Sequence, residues 1–203
     1  GREGLDLATR WGAPDASTPT FKAMQLYRNY DGNDSGFGDT SVRATVPNPD
    51  AVSAFGAVRS GDGALTLMVI NKQLTASATL ALTLTNCPNG GAAQAWQLTA
   101  ANTITRLADL AFGGNVLTST VPAQSITLFV LPAPPRLRPG AYGPGNTFSR
   151  GLDGQADQRY VIQSTTEFRS WLPVATNTPT SNSWHVVLPA AAAYSFYRAK
   201  WGN

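Results

Sequence analysis

The stretch Asp31-Gly32-Asn33-Asp34-Ser35-Gly36-Phe37-Gly38-Asp39 spaces oxygen-bearing side chains as a cation-binding loop would. With Asp31 as the first position of a calcium loop, Asn33 and Ser35 fall third and fifth, Gly36 sixth and Asp39 ninth. The twelfth position, where such loops carry a bidentate Glu, is Val42. Asp31, Asn33 and Asp39 are the candidate ligands and calcium the candidate cofactor. An ordinary Asp/Gly turn is the alternative.

Carboxylate pairs for acid–base work are scarce. The chain has two glutamates, Glu3 and Glu167, far apart in sequence, while Asp6 and Asp15 have no identifiable partner. The one histidine, His185, has Ser183 nearby but no acid placed by sequence, which argues against a hydrolase triad. Cys87 stands alone, so an internal disulfide and a Cys-rich zinc site are both excluded. Among the tryptophans, Trp96 shares a face with Leu98 and reads as core. Trp171, before Leu172-Pro173, and Trp184, beside His185, lie near turns. They read either as core or as flat platforms for a sugar ring, and so are the candidate substrate-binding residues of this region.

Composition narrows the classes. A chain of 203 residues that is 42% hydrophobic can pack a core, so wholesale disorder is excluded. Its net charge of +3 is spread without a Lys/Arg cluster, which argues against nucleic acid as a partner. No apolar run reaches the length of a membrane span. Gly1-Arg2-Glu3-Gly4 carries neither Met nor a signal-like apolar run and reads as a cut inside something longer, with any export signal upstream.

The elements that must position these residues are mostly strands. Leu5 to Trp11 alternates as a strand. Thr18-Pro19 supplies a helix N-cap and first-turn proline, Phe21, Met24 and Tyr27 recur at helical spacing with Leu26 and Tyr30, and Gly32 closes the helix. Beyond Gly38, strands are expected at 40–46, 52–59, 64–71, 79–85, 93–98, 103–107, 116–121 and 125–131. The run 64–71, apolar on both faces, belongs in the middle of a sheet. Pro132 to Asn146 reads as a semi-rigid proline linker. Strands at 160–164, 184–188 and 194–201 mark a second, smaller unit.

The motifs Gly4-Leu5-Asp6-Leu7-Ala8-Thr9-Arg10-Trp11, Ala13-Pro14-Asp15 and Met24-Gln25-Leu26-Tyr27-Arg28-Asn29-Tyr30-Asp31-Gly32 resemble glycoside hydrolase family 44. Phe37-Gly38-Asp39-Thr40-Ser41-Val42 and Leu67-Met68-Val69-Ile70-Asn71-Lys72 extend the match to about residues 1–132. The resemblance implies retaining endo-β-1,4-glucanases and xyloglucanases that join a (β/α)8 barrel to a β-sandwich. It also implies that the catalytic glutamates lie upstream and that Trp11, at the end of a barrel-like strand, can form a sugar subsite. Gly154-Gln155, Arg159 to Thr165, Trp171 and Phe196-Tyr197-Arg198-Ala199 are similar to a small C-terminal β module of secreted bacterial proteins.

The expected fold is therefore mainly β: a residual barrel strand and helix (1–38), an antiparallel β-sandwich (39–132), a linker (133–146) and a small β domain (147–203). The expected role is a non-catalytic accessory region of a secreted bacterial β-1,4-glucan-degrading hydrolase. It would support the missing catalytic barrel, with its helix face as an interface, and contact β-glucan. The alternative is a stand-alone carbohydrate-binding module using exposed Trp.

Overall fold

The computed structural model describes residues 12–85, 90–154, 159–181, 183–189 and 194–202. The expected strand at 5–11, with Glu3, Asp6 and Trp11, and the lone Cys87 lie outside the described residues. The chain divides into two compact units, Gly1–Leu131 and Pro132–Asn203.

In the first unit, helix α1 spans Pro19–Arg28, with Pro19 in the first turn. The Thr18 hydroxyl accepts from the Phe21 amide at 3.3 Å, satisfying a donor the helix itself cannot pair. The helix ends earlier than its glycine suggests: Asn29 is the C-cap, while Gly32, at φ +81°, turns the loop beyond it. The inward stripe is Ala23, Leu26, Tyr27 and Tyr30, of which Leu26 and Tyr30 are buried and the other two half-buried. Met24, expected on that stripe, is 46% exposed.

Eight strands follow: β1 (Thr40–Val42), β2 (Val52–Val58), β3 (Leu65–Asn71), β4 (Ala78–Thr83), β5 (Gly90–Leu98), β6 (Ile104–Gly113), β7 (Val116–Val121) and β8 (Ser125–Leu131). They form one antiparallel sheet in the order β1-β2-β3-β8-β5-β6-β7-β4. The expected sandwich is here a single curled sheet. β6 and β7 pair only at Gly113–Val116. Val69, Ala95, Phe129 and Leu131 can then share one core with Leu80, Leu117 and Val121 from the far end. The Asn71 amide closes that curl by donating to the carbonyls of Ala76 at 3.0 Å and Pro122 at 2.8 Å.

β3 lies inside the sheet, as its two apolar faces require. Leu65, Leu67 and Val69 meet the concave core, and Met68 faces the other way. On that convex side Met68, Trp96, Leu98, Leu128 and Val130 receive Leu26 and Tyr30 of the helix segment. The Tyr30 and Trp96 rings lie 4.4 Å apart. No helix among the described residues is long and apolar enough to cross a membrane.

The second unit holds β9 (Arg136–Gly143), β10 (Thr147–Asp153), β11 (Tyr160–Thr165), β12 (Leu172–Asn177), β13 (Ser183–Pro189) and β14 (Phe196–Trp201). They make two three-stranded sheets, β13-β10-β9 and β12-β11-β14. Leu152, Tyr160, Ile162, Val186 and Leu188 fill the core. β9 falls where the sequence predicts linker. Pro139 is tolerated because β9 is an edge strand, and the β9–β10 register shifts between Arg150 and Leu152, where the proline passes. Gly145 and Asn146, both at positive φ, turn the hairpin.

Candidate functional site

In the loop after α1, the carboxylates serve the backbone. Asp31 Oδ1 accepts from the amides of Asn33 at 2.9 Å and Ser35 at 3.3 Å. Burial pushes its carboxyl pKa up, but the donors from Ser35 and Asn33 outweigh it and hold the group below its ordinary value. Asp39 turns to the β2–β3 connection instead. Its Oδ1 accepts from the Ser60 amide at 3.1 Å and its Oδ2 from the Ser60 hydroxyl, which together hold its pKa down. Asn33 Nδ2 donates to Asp31 O at 3.4 Å. Asp31 and Asp39 are thus engaged by different partners. Among the described residues no three His, Cys, Asp or Glu side chains gather to hold a metal. This arrangement does not fit the calcium loop that the spacing suggests.

Among the described residues, the carboxylates Glu167 and Asp15 do not form an acid–base pair. Glu167 is the sole glutamate among the described residues, and its Oε1 accepts from the Ser170 hydroxyl at 2.5 Å. Asp15 caps its own turn through the amide of Ser17 at 2.8 Å and its hydroxyl at 2.6 Å. Retaining glycoside hydrolysis needs two carboxyl groups about 5 to 5.5 Å apart, and these two sit in different units.

The two tryptophans named from the second unit part company. Trp184 packs against the buried Tyr160 ring at 5.2 Å, and its indole nitrogen is buried without a partner. It belongs to the core, because alternation along β13 turns Trp184, Val186 and Leu188 to the same side. Trp171 instead lines a groove of about 340 Å³ together with Tyr142, Phe148, Arg150, Phe168, Phe196 and Tyr197.

Each wall of this groove has a local cause. Tyr142 and Phe148 are cross-strand partners in the β9–β10 hairpin, with rings 5.0 Å apart, and Tyr142 is 82% exposed. Phe168 stands in a turn at φ +62°, a conformation that bulky residues avoid. The Thr165 hydroxyl supports that turn by accepting from the amides of Glu167 and Phe168, both at 3.1 Å. The turn brings Phe168 onto Phe196 at 4.0 Å and edge-on to Trp171 at 6.2 Å. The Arg198 guanidinium covers the Trp171 ring at 4.2 Å and donates to Gln163 Oε1 at 2.9 Å, fixing the indole.

Arg150 is the sole charged residue among the described groove lining. Its guanidinium lies 5.1 Å from the Phe148 ring centre, and its Nε is buried with no hydrogen-bond partner. Gly140 opposite makes the room: a Cβ there would lie 2.7 Å from Arg150 Cγ and 2.2 Å from Ser149 O. Of the groove residues, sequence reasoning named Trp171 alone as a candidate. The available signal was the aromatic pair flanking Gly143-Pro144-Gly145-Asn146, a hairpin turn hidden among prolines.

No protein-family model matches the chain. It is similar to the bifunctional glucanase–xylanase CelM2 from a metagenome library, at 61% identity and a TM-score of 0.64 over 66% of this chain and 26% of that one. It is similar to a Paenibacillus polymyxa xyloglucanase of glycoside hydrolase family 44, at 30% identity and a TM-score of 0.52 over 55% of this chain and 22% of that one. Endoglucanase A of Paenibacillus lautus is 31% identical over 136 residues, which is 66% of this chain and 19% of that protein. The chain thus spans only about a fifth to a quarter of the length of these relatives. With its helix-backed curled sheet, it resembles a part of the family 44 endoglucanases and xyloglucanases.

Proposed function

We propose that the chain is an accessory region of a secreted bacterial β-1,4-glucan-degrading glycoside hydrolase, supporting a catalytic barrel and contacting polysaccharide without cleaving it. The observation that carries this reading is the two-sided helix α1. Leu26 and Tyr30 seal it onto the convex face of the sheet, while Met24 on its other side stays 46% exposed. A helix shared in this way ties the sheet to whatever packs on Met24, which we read as the remainder of a barrel, a reading that the likeness to family 44 enzymes supports.

Polysaccharide contact rests on the Trp171 groove, whose flat aromatic faces suit the C–H faces of a pyranose. The test is reducing-sugar release from xyloglucan and carboxymethyl cellulose, run beside affinity electrophoresis on the same polymers. Release at the level of the blank is expected, with retardation in the gel that Trp171→Ala abolishes. Robust turnover by the purified chain overturns the accessory role. Migration unaffected by polymer overturns the contact.

A further inference from the structure

We infer that the aromatic groove of the second unit is built for an acidic sugar: a polysaccharide carrying uronic acid, its ring stacked on the aromatic wall and its carboxylate on Arg150. This rests on the reading that the second unit contacts polysaccharide, and it adds the charge of the ligand. Three observations lead there. The described lining holds one cation, Arg150, and no anion. The Arg150 guanidinium lies 5.1 Å from the Phe148 ring centre, which puts its charge beside the aromatic wall, and its buried Nε is tied to no side chain or carbonyl. Phe168 is held at φ +62° by the Thr165 hydroxyl, and such strained positions concentrate at ligand-binding sites.

A neutral glucan would offer the guanidinium only hydroxyl groups. A carboxylate offers two parallel charge-assisted bonds in a planar match to the guanidinium fork. The neighbouring cation does not compete for this role. Arg198 is already engaged by the face of Trp171 and by Gln163, which leaves it to position the indole.

The test keeps the full chain and varies the ligand. Isothermal titration compares a glucuronate-bearing xylo-oligosaccharide, its methyl ester and the unsubstituted oligosaccharide. The acid should bind at least about tenfold tighter than either neutral form, the least that a charge-assisted pairing would add. That preference should shrink as sodium chloride is raised. Arg150→Gln should bring the acid down to the affinity of the ester, while Trp171→Ala should weaken all three ligands. The ester comparison needs no variant, so it stands even if Arg150→Gln fails to fold. Equal affinity for acid, ester and neutral sugar overturns the inference and leaves polysaccharide contact intact. Binding of none of these sugars, nor of xyloglucan, overturns both.

Discussion

Arg150 and Gly140 face each other across the β9–β10 pair, and neither position makes sense without the other. The arginine stem crosses space that any other residue at 140 would fill. The geometry gives a direct prediction. Gly140→Ala puts a methyl group 2.7 Å from Arg150 Cγ and 2.2 Å from Ser149 O, a contact that only backbone movement relieves. Overpacking of this kind costs about 1 to 3 kcal/mol. We expect a lower thermal midpoint and, because Arg150 must shift, weaker retardation by polysaccharide. An unchanged midpoint would show that the hairpin edge yields freely. At this scale the sequence was partly legible. Trp171 stood out as a turn-flanking indole, but its companions come from separate segments, 142–150, 168 and 196–197, that no local pattern connects. Trp184 read much like Trp171, and only the alternation of β13 against Tyr160 assigns it to the core.

Elements followed the sequence where their periodicity was undisturbed and departed from it where a bulge or a proline intervened. β3 and β8 are apolar on both faces and fall side by side inside the sheet. β6 runs to Gly113, beyond the expected end at 107, because a register shift opposite Ala93 and Ala95 breaks the two-residue period. Ile104 then faces the helix layer, while Leu107 and Leu110 face the concave core. β9 was obscured by Pro139, which an edge strand accepts. Helix α1 is where an element-scale prediction has most force. Its 10 residues are too few to be stable alone, so tertiary burial must hold it. Leu26, fully buried against the convex face, is the anchor. Leu26→Ala should destabilise the first unit by about 2 to 5 kcal/mol, whereas Met24→Ala, on the opposite side, should have little effect on the isolated chain. Denaturant titration of both variants checks this; equal losses would mean that Met24 is covered within the chain itself.

On the scale of the whole molecule, the chain contains separate hydrophobic cores in its two units. They are unequal. The curled sheet and helix bury Met68, Leu128, Phe129 and Val130 in continuous layers, while the second unit closes around Leu152, Tyr160, Ile162, Val186 and Leu188. A small unit buries a lower fraction of its surface and is correspondingly marginal. The second unit also leaves Tyr142 and Phe168 exposed and holds the indole nitrogens of Trp184 and Trp201 without partners. Calorimetric unfolding of the full chain should therefore resolve two transitions, with the second unit melting first. Leu152→Ala should lower only the earlier one and Leu26→Ala only the later. Because a ligand stabilises only the state that binds it, a glucuronate-bearing oligosaccharide should raise the earlier transition and leave the later one in place. A single transition displaced by both substitutions would mean that the units unfold as one.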